Sequence, residues 1–232
     1  MKLVELKEIC EKKGFPLTDK MVAQFDLYAK LLQEWNQKIN LTAIDEYEDI
    51  IEKHFYDSLL IMFQHKLSGK LADVGSGAGF PSLPLKIVDP TLEIVIIETL
   101  QKRCNFLNEV VKQLGLENVT IVNARAEDYA KDHRESFDIV TARAVANLSM
   151  LSELCIPLVK KHGVFIALKA MDAYNEEEKA SKALKILGVE RTCAYEDYLS
   201  DGSLRVNLVY EKVNATPKKY PRMFAKIKKQ PL

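Results

Sequence analysis

Long apolar runs are missing from this chain, and stretches such as Ile94-Val95-Ile96-Ile97 fall far short of the roughly 20 residues that a bilayer-spanning helix needs. No membrane segment is expected. Cysteine is sparse: Cys10, Cys104, Cys155 and Cys193 stand singly, with no C-x-x-C pair and no Cys/His cluster. Neither a zinc site nor a disulfide framework is therefore expected, and a reducing compartment fits. Nine glycines and eight prolines among 232 residues exclude collagen and low-complexity sequence. The first residues, Met1-Lys2-Leu3-Val4-Glu5-Leu6-Lys7-Glu8, lack the uninterrupted apolar core of a secretory signal, so the expected location is the cytoplasm. An excess of charge of one sign is also absent, with 33 basic side chains against 33 acidic ones. That balance hides an asymmetry. Residues 214–232 carry Lys218, Lys219, Arg222, Lys226, Lys228 and Lys229 and no acid, which leaves 27 basic against 33 acidic side chains in residues 1–213. An acidic body bears a basic tail.

What is present is periodicity. Met21, Phe25, Tyr28, Leu32, Trp35 and Ile39 advance by fours and threes and draw one stripe along a helix, which Asn40 and Thr42 interrupt. The Tyr28 and Trp35 stripe reads as core rather than as a base-stacking platform. A second helical stretch carries Ile50, Ile51, His54, Phe55, Ser58, Leu59 and Met62 before Ser68-Gly69 breaks it. Residues 1–66 thus read as a helical cap. Short apolar runs then alternate with amphipathic helices, the sequence form of a parallel sheet covered on both faces. Strands are expected over 71–74, 92–97, 119–123, 137–141 and 163–168, with helices at 102–114 and 175–187. Two further strands at 189–195 and 204–211 make an antiparallel end to the sheet. Residues 214–232 are expected to lack regular structure.

Asp73-Val74-Gly75-Ser76-Gly77-Ala78-Gly79-Phe80 joins the first strand to a helix. Glycines there let the main chain turn tightly and approach a ligand with no Cβ in the way. A dinucleotide fingerprint needs glycine three places after Gly77, where this chain has Phe80. The G-x-G-x-G spacing, with Asp73 two places ahead, resembles the nucleoside-binding loop of class I S-adenosylmethionine methyltransferases. That likeness implies an α/β, Rossmann-like fold with a seven-stranded, mostly parallel sheet. Glu98 ends the second strand nineteen residues after Gly79, where a carboxylate accepts hydrogen bonds from ribose hydroxyls. Glu127 and Asp128 follow the third strand, at the edge where an adenine lies.

The acceptor is read from what is missing. No cysteine sits at a loop end to attack a pyrimidine, and residues 141–147 are not the N-P-P-Y clamp of exocyclic amine methylation. A ring nitrogen with a free lone pair, or an oxygen with an unidentified base, remains. His54, Asp57 and Ser58 share one helix face, so they cannot converge as a hydrolytic triad and read as a polar seam between cap and sheet.

Taken together, Asn40-Leu41-Thr42, His54-x-x-Asp57-Ser58, residues 75–81, Arg125-Ala126-Glu127, Arg143-Ala144-Val145-Ala146, Lys169 and Tyr220-Pro221-Arg222 resemble the bacterial small-subunit ribosomal RNA guanine-N7 methyltransferases, the glucose-inhibited division protein B family. The likeness covers nearly the whole chain, with one small departure, Ser82 where many members place glycine. It implies transfer of a methyl group from S-adenosyl-L-methionine to N7 of a guanine in the decoding-region loop of 16S ribosomal RNA. It also implies that Gly75, Gly77, Gly79, Phe80, Ala126, Glu127 and Arg143 line the cofactor site, with Glu98 on the ribose. Residues 67–213 are then the cofactor-binding domain, and 214–232 the basic tail. Guanine N7 holds its lone pair at neutral pH, so no dedicated base is expected. Arg143 must not fork onto O6 and N7, because that fork occupies the reacting lone pair. It touches cofactor, phosphate or O6 alone, or else forms a salt bridge that shapes the loop. Lys169, Lys218, Lys219 and Arg222 are candidate contacts for RNA phosphate, with solvated lysines the alternative. The chain is expected to act as a monomer, without metal. A small-molecule methyltransferase and a noncatalytic ribosome-assembly factor are the competing readings.

Overall fold

A computed structural model describes residues 1–143 and 146–232, so Ala144 and Val145 of the expected Arg143–Ala146 motif lie outside the described residues. The chain opens with α1 (Leu3–Lys12) and the long α2 (Asp19–Ile39). Thr18 accepts the Met21 N–H at the start of α2. Asn40 ends it in the left-handed conformation, while the Asn36 carboxamide accepts the N–H groups of Leu41 and Thr42. A single-turn α3 (Tyr47–Asp49) runs into a π-helical stretch, Ile50–Tyr56, and on into α4 (Asp57–Gln64). The wider π turn is absent from the sequence reading, since apolar spacing alone does not distinguish it.

Alternation follows: β1 (Lys70–Val74), α5 (Ser82–Val88), β2 (Glu93–Glu98), α6 (Gln101–Leu114), β3 (Val119–Asn123), α7 (Ala126–Tyr129), β4 (Phe137–Arg143), α8 (Leu148–Cys155), β5 (Val159–Lys169), α9 (Ala173–Leu187), β6 (Val189–Tyr198), β7 (Leu204–Lys212) and α10 (Phe224–Lys229). The seven strands form one sheet in the order β3-β2-β1-β4-β5-β7-β6. Only β7 is antiparallel to its neighbours, β5 and β6. Every strand in the central β1 and β2 pair is buried nearly throughout, as both faces are covered by helices.

Two cores flank the sheet. One gathers Leu6, Phe25, Tyr28 and Phe55 of the N-terminal helices with Leu83, Ile94 and Phe106 of the sheet face. Residues 1–66 therefore share the core of that face rather than building their own. Phe55 lies 5.1 Å centroid to centroid from both Phe25 and Tyr28, and Tyr28 is 5.6 Å from Phe80. Aromatic pairs of this kind contribute about 0.5–1.5 kcal/mol each beyond burial. The second core joins α8 and α9 to Phe165, Tyr220 and Ile227.

The last two residues of that set correct an expectation. Residues 214–232 are docked, and 224–229 are regular: α10 packs through Ile227, and Arg134 donates to the carbonyls of Thr216, Pro217 and Tyr220. Apolar Tyr220, Phe224 and Ile227 recur through the lysines at helical spacing, a pattern that marks a packed face. Among the described residues, no helix is long and apolar enough to cross a membrane, and no group of His, Cys, Asp and Glu is placed to hold a metal ion.

Candidate functional site

At the carboxyl ends of the parallel strands, the loop after β1 turns back through Gly75, Gly77 and Gly79, all at positive φ. A Cβ at Gly77 meets nothing within 4 Å, so this backbone faces open space. Gly79 differs. A Cβ there lies 2.5 Å from Tyr28 Oη and 2.7 Å from Leu83 Cδ1, because α2 presses on the loop and Tyr28 donates to the Ala78 carbonyl. Asp73, fully buried beneath the loop, accepts the Ser82 N–H through Oδ2 at 3.2 Å. The start of α5 is thus capped by Asp73, and the hydroxyl of Ser82 itself finds no partner. Burial, opposed by the Ser82 N–H bond and by the Arg143 charge, raises the Asp73 pKa to about 7. Its Oδ1 has no partner, nor has the buried Ser76 hydroxyl. Orphaned buried polar atoms under an open loop are what a ligand carrying an ammonium and a carboxylate relieves.

Glu98 ends β2 almost fully buried, and its carboxylate is oriented by the N–H groups of Gly77 (3.2 Å) and Leu100 (3.0 Å), with Arg103 at 3.6 Å. Asn123 on β3 braces that strand end by donating to the carbonyls of Glu98 and Thr99. A cavity of about 420 Å³ opens beside it, lined by Gly75, Glu98, Ala126 and Glu127 from the expected set. Arg125, Leu154 and Phe224 are also on its walls, and the sequence reading assigned none of them to this site. Arg125 stands 3.9 Å from Glu127 and 5.0 Å from the Phe224 ring centre.

Phe80 and Arg143 are elsewhere. The Phe80 ring is buried, stacked between His54 (4.4 Å, 12°) and Tyr28, with the Arg143 guanidinium 5.0 Å from its centre. Arg143 donates to Asp57 Oδ2 (3.1 Å) and to His54 Nδ1 (3.2 Å). Arg205 holds the other Asp57 oxygen at 3.0 Å. Arginine has no lone pair to offer, so Nδ1 accepts and the His54 Nε2–H donates to Thr42 Oγ1 at 2.9 Å. Burial, reinforced by the Arg143 charge, drives the His54 pKa down to about 3, leaving it neutral. The salt-bridge alternative for Arg143 is the one realised. Ser58 donates to the His54 carbonyl, not to its ring, so no triad forms. His54, Asp57, Arg143 and Arg205 border a second cavity of about 580 Å³ with Lys53, Lys169 and Asn207 on its walls.

Two candidate phosphate contacts are engaged within the protein. Lys169 is nearly buried and bound to Glu176 (2.7 Å) and the Ala146 carbonyl (2.8 Å). Arg222 grips the buried Glu153 through Nε, Nη2 and its backbone N–H. Lys218 and Lys219 are exposed, as are Lys226, Lys228 and Lys229.

This sheet order, with one antiparallel strand next to the edge and a G-x-G-x-G loop after the first strand, defines a class I methyltransferase. A SAM-dependent methyltransferase from Aquifex aeolicus shares the fold, with a TM-score of 0.51 at 17% identity over 69% of this chain and 92% of that one. Residues 21–196 match the family model described as rRNA small subunit methyltransferase G. Proteins named ribosomal RNA small subunit methyltransferase G from Lysinibacillus sphaericus and Staphylococcus saprophyticus are each 47% identical, covering 93% and 100% of this chain and 92% and 99% of their own lengths. The chain belongs to the rRNA small subunit methyltransferase G family.

Proposed function

We propose that this protein transfers a methyl group from S-adenosyl-L-methionine to N7 of a guanine in the decoding-region loop of 16S ribosomal RNA, acting as a cytoplasmic monomer. The observation that carries the reading is the pairing of a nucleoside-sized cavity beside Glu98 with the unsatisfied Asp73 Oδ1 and Ser76 Oγ under the glycine loop. In this reading residues 67–213 hold the cofactor, which supplies an electrophilic methyl group when bound. Glu98 accepts the ribose hydroxyls, Gly75, Gly77 and Gly79 admit the ligand to the backbone, and Ala126 and Glu127 border the base. Asp73 receives the ammonium group, and its ionised form is favoured by that charge.

The second cavity, beneath residues 1–66, takes the target guanine. Its walls carry Lys53, Arg143 and Arg205 against Asp57, a lining that suits a nucleotide with its phosphate. Because Arg143 is engaged by Asp57 and His54, no arginine fork blocks N7. Neutral His54 takes no proton at physiological pH, in keeping with a reaction that needs no base. Positioning of two bound reactants then supplies the catalysis, and alignment of this sort accounts for about 7–11 kcal/mol of a barrier. Lys218, Lys219 and the exposed lysines of α10 offer the phosphate contacts.

The test is to map N7-methylguanosine in 16S ribosomal RNA from cells with and without the protein, and to follow labelled methyl groups from the cofactor into purified RNA. A modification lost with the gene product supports the reading. Label appearing in the metabolite fraction instead favours a small-molecule methyltransferase, and no transfer at all favours an assembly factor.

A further inference from the structure

We propose that Phe224, carried by the C-terminal segment, is the aromatic wall against which the purine of the bound cofactor stacks, and that Arg125 fixes the ring in that place. The proposal rests on the cofactor reading above. Phe224 is the only aromatic side chain lining the 420 Å³ cavity among the described residues, and it stands across the same space as Glu98 and Glu127. Every nucleobase has a π face for such a ring, and the Glu127 carboxylate in the same cavity suits an exocyclic amino group. The Arg125 guanidinium, which lines the same cavity, lies 5.0 Å from the ring centre and restrains Phe224.

The segment reaches this position by its own anchors, none of which line the cavity. Glu153 binds Arg222 through both carboxylate oxygens, Arg134 holds three carbonyls between Thr216 and Tyr220, and Ile227 is fully buried one helical turn beyond Phe224. A wall supplied by a segment anchored on Glu153 of α8, 69 residues before Arg222, and on Arg134, ahead of β4, makes ligand binding and tail docking mutually reinforcing, a several-fold change in affinity. Residues whose charges face outward, Lys226, Lys228 and Lys229, lie on the same short helix. One element therefore has an inner face for the cofactor and an outer face for solvent or phosphate.

Calorimetric titration with S-adenosylhomocysteine and with adenosine tests this in wild type, Phe224→Ala and Phe224→Trp. Loss of the ring is expected to weaken both ligands about tenfold, and tryptophan to restore affinity to within about threefold, since the contact is with the base. In the wild type, S-adenosylhomocysteine should also slow amide exchange over residues 220–229, a readout that needs no variant. Unchanged affinity in Phe224→Ala, weakening for S-adenosylhomocysteine but not adenosine, or unprotected tail amides would each overturn the proposal. A wild-type chain that binds neither ligand overturns the cofactor reading itself, and this inference with it.

Discussion

In the proposed reading, Glu98 and Asp73 act on the same ligand by different physics. The Glu98 side chain accepts hydrogen bonds from two backbone N–H donors, so its acceptor lone pairs are oriented before anything binds. Glu98→Ala should lower cofactor affinity by about one to two orders of magnitude in calorimetry, the scale of one or two charge-assisted hydrogen bonds. Asp73 has its pKa raised to about 7 by burial, so near neutrality it is partly protonated. A bound ammonium favours the ionised form, and affinity should therefore rise as pH increases through 7. Asp73→Asn should flatten that dependence. A raised carboxyl also contributes stability that is present below its unfolded pKa and lost as pH rises through about 7 in the ligand-free protein. His54 has the opposite linkage. Its pKa is lowered to about 3 in the folded chain, so the unfolded state takes up a proton first as pH falls below 6.5. The two linkages oppose each other over the same pH range, so the His54 part is read from the variant: as pH falls from 6.5 toward 3, denaturant midpoints of His54→Gln should rise relative to those of the wild type.

At the scale of elements, the glycine loop is fixed from outside by α2. Gly79→Ala combines a positive φ of 99° with contacts at 2.5 and 2.7 Å, so it should cost about 2 kcal/mol or more and lower the thermal midpoint by several degrees. Gly77→Ala meets no atom and serves as the comparison. The docked tail depends on an ion pair with a fully buried acid. Arg222→Ala leaves Glu153 uncompensated, a loss of about 3–5 kcal/mol for a buried pair, and should expose residues 214–232 to limited proteolysis. Much of this element pattern was legible beforehand. The strand over 119–123 and the helix ending at Leu114 are where apolar spacing and Gly115 place them, because local periodicity and a left-handed cap are chain-local properties. The π turn at His54 and the helix at Phe224 were not legible. One reflects a widened backbone that side-chain spacing does not encode, and the other a short helix stabilised by distant anchors.

For the whole molecule, zero net charge leaves asymmetry as the electrostatic handle for a polyanion, and in the proposed function that handle is the exposed lysines of residues 214–232. RNA affinity should fall steeply with salt, and replacing Lys218 and Lys219 by alanine should reduce the log–log slope by about 1.4 to 1.8. Replacing Lys169 should leave that slope unchanged, since its charge is met by Glu176. Sequence alone determined the alternation of strands and helices, the glycine loop with its acid at Glu98, and the basic tail, since each is carried by neighbours in the chain. Tertiary structure alone decided which of those charges stay free: Arg143 turns to Asp57, Lys169 to Glu176 and Arg222 to Glu153, while Phe224 turns inward. A side chain's partner is set by what folding brings within a few ångströms, and those partners lie from seven to more than eighty residues away along the chain.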